Sequence, residues 1–192
     1  VHAAAPALRR VDALGMVGGG LEDYLEIHVP VLDIYENNLS SYQQLQADGR
    51  EVWFYTAWGP QGHYPNRMID SMAIKPRVLS WINMRYGATG YLHWALNWWD
   101  IPLTEMSSPG DQYLVWPGNR FIINSSLRFE SHREGLDDWQ HMLDLVDSLT
   151  AQGMDRETAQ ELIRSKAATM VRSAQDYSRS WEDYESLFHS VD

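Results

Sequence analysis

The feature that most constrains the fold of this 192-residue sequence is a regular alternation of apolar, β-branched segments with helical ones. In order, these are a strand and its exit at 24–35, a short helix at 43–48 closed by Gly49, a strand at 51–58, a helix at 76–86 ended by Gly87, and a strand at 91–100. The strands are apolar on both faces, as in parallel sheets that helices cover. The alternation therefore predicts consecutive parallel βα units.

The segments on either side are assigned from the same local signals. Residues 3–11 are predicted to end a helix, 15–20 to form a loop or short strand, 113–117 a short apolar segment, 121–128 an extended segment and 134–149 a helix. The run at 15–20, GMVGGG, is not a phosphate-binding loop. It lacks both the Gly-Lys-Ser/Thr ending and the Gly-x-Gly-x-x-Gly spacing of such loops.

The chain from Asp155 onwards is predicted to be helical, with Asp155 as the N-cap. Its apolar positions recur in steps of three and four at Ile163, Ala167, Met170, Ala174, Tyr177, Trp181, Tyr184 and Phe188. Such a stripe predicts one or two amphipathic helices laid along the body of the protein, with a coiled-coil partner as the alternative. We therefore divide the chain into a βα part, 1–150, and a C-terminal helical segment, 151–192, that packs on it.

The charge and the cysteine count exclude several classes of function. Fifteen Lys and Arg face 26 Asp and Glu, a net charge of −11, so phosphate backbones and anionic lipid headgroups are repelled. We expect neither nucleic acid nor a membrane as partner. The chain has no cysteine, which removes disulfides and thiolate zinc sites, and its seven histidines show no metal-binding spacing. We expect no metal and no cofactor.

Aromatic side chains are in excess, with nine Trp and ten Tyr, and three of the Trp fall within residues 91–100, YLHWALNWWD. This run is half of the about 20 residues that a membrane-spanning helix needs. As a strand it would alternate between two faces. One face holds Leu92, Trp94, Leu96 and Trp98 and suits burial under helices, while the other holds Tyr91, His93, Ala95, Asn97 and Trp99. The second face combines rings with hydrogen-bonding groups, the mixture that a sugar-binding site needs.

Three blocks in this order resemble a known family. They are VWFYTAW at 52–58, R-x-L-x-W with G-x-x-G-Y-L-H-W-x-x-N-x-W at 77–99, and S-x-R-F-E-x-x-R-E-G-x-x-D-W at 126–139. Together they resemble the C-terminal half of the catalytic domain of glycoside hydrolase family 123, known also as domain-of-unknown-function family 4091, over roughly residues 20–150.

The resemblance implies an α/β fold, the C-terminal half of a (β/α)8 TIM-type barrel, followed here by a C-terminal amphipathic helix. It also implies release of a terminal N-acetylhexosamine, with an N-acetyl-β-galactosaminide as the model substrate. In this retaining, substrate-assisted reaction the acetamide of the sugar is the nucleophile. A carbohydrate is therefore the expected partner.

The catalytic pair that the family carries, an adjacent Asp-Glu, is absent, since no Asp-Glu dipeptide occurs in these 192 residues. By the family's order the pair is expected upstream of Val1, on the missing half of the barrel. A half-barrel leaves a strand edge and apolar surface open, so we expect the N-terminal half of the barrel, as a separate or further segment, to be a partner. The catalytic residues therefore stay unassigned.

Barrel active sites lie at the C-terminal ends of the strands, and candidate substrate-binding residues follow from that rule. Asn97 offers an amide for sugar hydroxyls, and Trp99 offers an indole for the apolar face of the ring; for Trp99 the alternative is barrel core. Tyr55 lies near the exit of its strand, where its hydroxyl could reach the acetamide, or it is satisfied inside the barrel. Trp58 begins the following loop and is a candidate for a sugar subsite.

Four further residues complete the predicted substrate-binding set. Glu26 and His28 share one face of the strand within 24–35, where a charged residue is a candidate for function. Asn66 and Arg67, in the loop after Trp58, could form a rim that recognises the sugar or its leaving group, although Arg67 could equally pair with Asp70.

A charge-dense block, Arg128, Glu130, Arg133, Glu134 and Asp138, is predicted to be an ion-pair network that clamps its helix to the barrel. Glu130 is the carboxylate to test as a surrogate acid.

The alternative function is a non-catalytic glycan-binding or scaffold protein that retains the aromatic pocket. The sequence leaves the localisation open, and the resemblance favours an extracellular or periplasmic location.

Overall fold

The computed structural model describes residues 3–16, 20–21, 23–102, 105 and 110–189. Part of the loop predicted at 15–20, namely 17–19, lies outside the described residues, as do the last three residues of the predicted C-terminal helix. The strands are β1 (Val11–Leu14), β2 (Ile27–Pro30), β3 (Glu51–Val52), β4 (Phe54–Thr56), β5 (Tyr91–His93), β6 (Trp116–Pro117) and β7 (Ile123–Asn124). The α-helices are α1 (Leu32–Asn37), α2 (Leu39–Ala47), α3 (Lys75–Tyr86), α4 (Leu127–Ala151), α5 (Arg156–Met170) and α6 (Trp181–His189).

The first five strands pair in parallel and in the order in which they occur along the chain. β1 pairs with β2, β2 with β3, and β4 with β5, while a parallel bridge between Val31 and Tyr55 continues the β2 pairing onto β4. The predicted parallel pairing of the three apolar segments is therefore confirmed, with shorter strands than expected. Helices α1 and α2 connect β2 to β3, and α3 connects β4 to β5, which gives a mixed α/β architecture; completion of a barrel stays a prediction.

One assignment in the first 40 residues is wrong, and another is confirmed with a shorter strand. Residues 3–11 do not end a helix; they form turns that lead into β1, because β-branched Val11 and its neighbours pair along the whole length of β2. The segment at 24–35, predicted as a strand and its exit, contains the strand β2, which ends at Pro30. Proline cannot donate a ladder hydrogen bond, and the chain turns into α1 directly afterwards.

The strand predicted at 91–100 ends at His93, earlier than expected. The His93 ring accepts from the Ala95 amide at 3.2 Å, and this local bond turns the chain. The next carbonyls find distant partners instead of a neighbouring strand: Ala95 accepts from Arg67, and Leu96 accepts from the amide of Leu114 at 3.0 Å. Because the extended ladder stops there, alternation no longer decides which side chains are buried.

The helical layer packs most closely between α3 and α4. Gly135 permits this approach, since a Cβ at that position would lie 2.5 Å from the carbonyl oxygen of Arg77. Behind α3 the core is aromatic: Trp81 and Tyr184 are fully buried and their rings meet edge to face at 4.8 Å. Two of the three blocks that carry the family resemblance are thus in direct contact.

The apolar stripe of the C-terminal segment faces this core. Ile163, Ala167, Ala174, Tyr177 and Tyr184 are buried, and the remaining stripe positions pack against the same cluster. The stripe is not one continuous helix face: residues 171–180 between α5 and α6 are not helical, and Ala174 and Tyr177 lie in this connection. As predicted, Asp155 caps α5, its side chain accepting from the amide of Thr158. The burial accounts for the periodicity without a coiled-coil partner.

Candidate functional site

The side chains of β4 and β5 alternate between two faces of the sheet, one of which is covered by helices. Phe54 and Thr56 are fully buried on the helical side, and the register places Tyr91 and His93 beside them. Tyr91 shares a 2.6 Å hydrogen bond with Thr56, and its ring lies 5.4 Å from that of His132 in α4. The prediction that Tyr91 and His93 line a pocket together with Asn97 and Trp99 is therefore wrong for these two, because they face the helices.

A polar cluster lies just beyond these strand ends, and we call it the Asp111 cluster. Its members are Arg67, His93, Asp111 and Arg128, whose side chains are buried, and Trp94, which is half exposed. The carboxylate of Asp111, which is 1% exposed, accepts from Trp94 Nε1 at 2.7 Å and lies 3.4 Å from His93 Nε2. Arg67 is also buried, and its guanidinium lies 5.9 Å from the centre of the Tyr91 ring. Burying a charge is costly unless partners compensate for it, and here opposite charges and hydrogen bonds are both present.

The charges of the cluster follow from burial and its hydrogen bonds. Burial lowers the pKa of His93 and outweighs the nearby carboxylate, so the ring is neutral at neutral pH. Burial acts to raise the pKa of Asp111, but the adjacent His93 ring and the hydrogen bond from Trp94 outweigh it and hold the pKa below its usual value. Burial lowers the pKa of Arg128 to about 10, which leaves it cationic. The cluster thus combines one carboxylate with two guanidinium groups.

Arg128 fastens the loop that carries Asp111. Its guanidinium donates to the carbonyl oxygens of Arg67, Gly110 and Tyr113. The same residue belongs to the third block of the family resemblance, where it was interpreted as a member of an ion-pair network. It binds backbone carbonyls instead, which fixes the position of Asp111 relative to β5.

Three tryptophans are exposed along this edge of the sheet. Trp58 follows β4 and is 62% exposed, while Trp94 and Trp98 follow β5 and are 48% and 50% exposed. The rings of Trp94 and Trp98 lie 5.5 Å apart at 54°. The prediction that Trp94 and Trp98 are buried under the helices is therefore wrong, and the reason is the early end of β5.

Asn97 and Trp99 occupy the irregular segment after β5. Asn97 is exposed, and its backbone forms an antiparallel bridge with Tyr113. Trp99 is half-buried, and its Nε1 donates to the carbonyl of Val115 at 2.9 Å. Trp99 thereby ties this segment to the irregular residues directly before β6, and Asn97 presents its amide at the surface beside Trp98.

Tyr55 and Trp58 lie where a barrel-type site is expected. Tyr55 alternates with the buried Phe54 and Thr56, so its side chain is on the opposite face of the sheet from the helices, half-buried. Burial, together with the charge of Asp33, raises the pKa of its hydroxyl, which stays protonated at neutral pH. Because β4 and β5 are parallel, their carboxyl ends lie at one edge, and the segments that follow them carry the exposed Trp58, Trp94 and Trp98.

Asn66 and Arg67 brace the structure around this edge. Asn66 is 1% exposed; its side-chain nitrogen donates to the carbonyls of Ala57 and Pro60, and its oxygen accepts from the amide of Arg67. Its amide is thus engaged in holding the loop after β4. Arg67 donates to the carbonyl of Ala95 at 2.7 Å and not to Asp70. Arg67 is brought together with β5, while Asn66 lies behind the loop that carries Trp58.

Glu26 and His28 lie away from this edge. Glu26 precedes β2 at its amino end, where its carboxylate binds the amide and the guanidinium of Arg10. His28 is 2% exposed, and its register with Val52 places it on the helical side of the sheet. The structure therefore does not bring these two residues together with Tyr55.

Four of the five residues in the charged block of α4, namely Glu130, Arg133, Glu134 and Asp138, form ion pairs as predicted, whereas Arg128 binds backbone carbonyls. Asp138 pairs with Arg77 in the core, while Arg133 binds Glu130, Glu134 and Asp137 on the exposed face of the helix. Glu130 also accepts from Ser125. This carboxylate is therefore engaged at the start of α4 and is a poor surrogate acid.

Asp111 is the residue of the site that sequence reasoning missed. It stands in a polar stretch, PGDQY, that is typical of an exposed turn, and no local signal marks its burial. Only the contacts with β5 and Arg128 reveal it.

Among the residues that the structure describes, no group of three or more His, Asp or Glu side chains is arranged to hold a metal ion. Within the same residues, no helix has the length and apolar character needed to cross a membrane.

Comparison with known proteins identifies the family and a solved structure with a similar fold. The model of the glycoside hydrolase 123 catalytic domain matches residues 1–145. The structure is similar to that of a family 123 glycoside hydrolase from Clostridium perfringens, solved in a study of glycolipid glycan hydrolysis, with a TM-score of 0.67 and 18% identity. The match covers 95% of this chain and 33% of that enzyme, so the chain spans about a third of its length. No curated protein sequence matches.

Proposed function

Because this chain belongs to the family of the glycoside hydrolase 123 catalytic domain, we propose that it forms the sugar-binding part of a glycoside hydrolase. The substrate we propose is a glycan ending in an N-acetylhexosamine, with an N-acetyl-β-galactosaminide as the model. The proposed reaction is retaining, with the substrate's acetamide as nucleophile. Substrate and mechanism are those that the family resemblance implies.

The observation that carries this proposal is the composition of the edge formed by the carboxyl ends of β4 and β5. A neutral tyrosine hydroxyl, three exposed indoles and the exposed amide of Asn97 lie along it. Barrel-type enzymes place their sites at the carboxyl ends of parallel strands. A pyranose offers an apolar face for rings and hydroxyls for polar groups, and this edge presents both kinds of partner.

Glycoside hydrolysis requires catalytic groups that this edge does not supply. Glycosidic cleavage needs an acid for the leaving oxygen, and the substrate-assisted reaction needs a carboxylate that orients and polarises the acetamide N–H. No adjacent Asp-Glu pair occurs in the sequence, and Glu130 is engaged with Ser125 and Arg133. We therefore assign the acid and the polarising carboxylate to a part of the enzyme outside these 192 residues. The role left to this chain is to hold and orient the sugar, which lowers the barrier by fixing the reacting geometry.

The test is hydrolysis by the chain combined with the segment that supplies the Asp-Glu pair. Substrates are the 4-nitrophenyl β-glycosides of N-acetylgalactosamine, its N-trifluoroacetyl analogue and galactose. Fluorination makes the acetamide oxygen less nucleophilic, so kcat should fall steeply for the analogue, and the galactoside should not react. Equal rates on all three would contradict the proposed mechanism. Binding of the sugar without hydrolysis of any substrate would favour a non-catalytic glycan-binding protein.

A further inference from the structure

We propose that Trp94 and Trp98 form a carbohydrate-binding platform and that Asp111 is the residue that positions it. This inference rests on the proposed function. It extends that function in two ways. It assigns the sugar-stacking surface to Trp94 and Trp98, which the predicted strand at 91–100 would have buried. It also gives the buried carboxylate of Asp111 a role in holding this surface.

The platform consists of two rings that leave apolar surface in contact with water. About half of each side chain is exposed, and Leu96 between them is 43% exposed. A single exposed apolar residue is ordinary, whereas a contiguous patch indicates a binding surface. The rings are tilted towards each other at 54°, with centres 5.5 Å apart, so they form a shallow angled surface instead of a flat one.

The orientation of Trp94 is fixed through its polar edge. Its Nε1 donates to Asp111 at 2.7 Å, and its other side is bounded by the His93 ring, which lies nearly parallel at 6.2 Å. The acceptor is a carboxylate that is almost completely buried, so water does not compete for the bond. The indole is therefore held by its edge while part of its face stays open, as a stacking platform requires.

The support of Asp111 is itself rigid. Arg128 donates to the carbonyls of Gly110 and Tyr113 on either side of the Asp111 segment. The amide of Leu114 donates to Leu96, which ties the segment to the residue between the two tryptophans. A platform that is already ordered loses little conformational entropy when a ligand binds, and this strengthens binding.

The ligand that this surface fits is a neutral sugar ring. Indole faces stack on the apolar face of a pyranose, and the exposed side chains of Asn97 and Asp100 flank Trp98 with groups that can bond to hydroxyls. The net charge of −11 disfavours an anionic ligand. The polar flank distinguishes the surface from a self-association patch, whose core is depleted in charge.

The experiment is ligand-observed saturation-transfer NMR on the 192-residue chain with methyl N-acetyl-β-galactosaminide as the probe. The variants are Trp94→Ala, Trp98→Ala, Asp111→Leu and Asp111→Asn, with Tyr24→Ala as the matched control. Tyr24 is an exposed aromatic residue, 61%, that precedes the amino end of β2, away from the platform. Each of the two tryptophan variants should bind about tenfold more weakly, the factor that corresponds to one lost aromatic contact.

The positioning role of Asp111 is tested by comparing the sugar affinities of two variants, because a purely structural role would not predict that the amide restores binding. Asp111→Leu should weaken binding like Trp94→Ala, and Asp111→Asn should restore most of it, because an amide oxygen still accepts from the indole. If Asp111→Leu does not fold, Trp94→Phe replaces it: the ring is retained but cannot bond to Asp111, and binding should fall while circular dichroism shows that the chain stays folded.

Three outcomes would overturn the inference. Unchanged binding in both tryptophan variants would exclude the platform and leave the proposed function standing. A wild-type chain that dimerises in size-exclusion chromatography, and that Trp98→Ala makes monomeric without affecting sugar binding, would identify the patch as a self-interface. Failure to bind the probe both by the wild-type chain alone and by the chain combined with the segment that supplies the Asp-Glu pair would refute the inference and the proposed function together.

Discussion

Asp138 of α4 accepts two hydrogen bonds from Arg77 of α3, from Nε at 2.6 Å and from Nη2 at 2.9 Å, inside the core. The same carboxylate accepts from Trp81 Nε1 at 2.7 Å. A carboxylate with three donors is well compensated for its burial. These contacts join the second and third blocks that carry the family resemblance, so these block residues hold the helical layer behind the sheet together.

Replacing Asp138 by Ala should destabilise the protein by about 3–5 kcal/mol, because the Arg77 cation would stay buried without its carboxylate. Urea denaturation followed by circular dichroism measures the change. Arg133→Ala is the control, since that side chain binds three carboxylates on an exposed surface, and its loss should leave the unfolding midpoint nearly unchanged. Equal midpoints for wild type and Asp138→Ala would contradict the account of this contact.

Gly135→Ala should separate α3 from α4. The added Cβ would lie 2.5 Å from the carbonyl oxygen of Arg77 and 2.9 Å from its Cα, and both are backbone atoms that cannot move alone. Overpacking of this kind costs about 1–3 kcal/mol. Gly15→Ala, where a Cβ meets no atom within 4 Å, should change the thermal midpoint little. If both substitutions shift the midpoint equally, close packing at Gly135 is not the reason for the glycine.

Stability should fall between pH 6.5 and pH 4 through His132. Burial, with the nearby Arg67, lowers the pKa of His132 to about 4 in the folded chain, whereas the unfolded chain takes up the proton near 6.5. The unfolded state therefore binds more protons in this window, so the contribution is fully present above pH 6.5 and is lost as the pH falls. The loss is on the order of 2–3 kcal/mol. Denaturation of wild type and His132→Leu at both pH values tests it: the variant should lose less stability, and parallel losses would refute the assignment.

Local chemistry made much of the fold predictable from the sequence. Gly87 ends α3 in the left-handed conformation, and Asp155 caps α5, because both signals act within a few residues. The parallel order followed from apolar strands that alternate with helices. The end of β5 could not be predicted, since it depends on the His93 ring and on Arg67, which lies 28 residues from its acceptor, the carbonyl of Ala95.

The candidate site was less predictable for the same reason. Tyr55 and Trp58 follow from the rule that sites lie at strand ends, and the structure places both at that edge. Trp94 and Asp111 meet only through a tertiary contact between two irregular segments, and periodicity contains no information about such a contact. The early end of β5 also exposed the two tryptophans that a longer strand would have buried.

Substitution of a buried and of an exposed tryptophan should affect stability and sugar binding differently. Trp81 is fully buried, and Trp81→Ala should cost about 3–5 kcal/mol of unfolding free energy through the cavity it leaves. Trp58 is 62% exposed, and Trp58→Ala should change that free energy by less than about 0.5 kcal/mol. If Trp58 is part of a sugar subsite, its variant should still bind more weakly to methyl N-acetyl-β-galactosaminide. A Trp58 variant that binds as wild type removes this residue from the proposed site.

The most direct test of the central claim is to measure binding and turnover on one sample of the purified 192-residue chain. The sample is titrated with N-acetylgalactosamine in a calorimeter and then incubated with 4-nitrophenyl N-acetyl-β-galactosaminide. We expect the chain to bind the sugar and to release no 4-nitrophenol, because the binding edge is present and the Asp-Glu pair is not. Release of 4-nitrophenol by the chain alone, or no binding of the sugar, would contradict the division of roles proposed here.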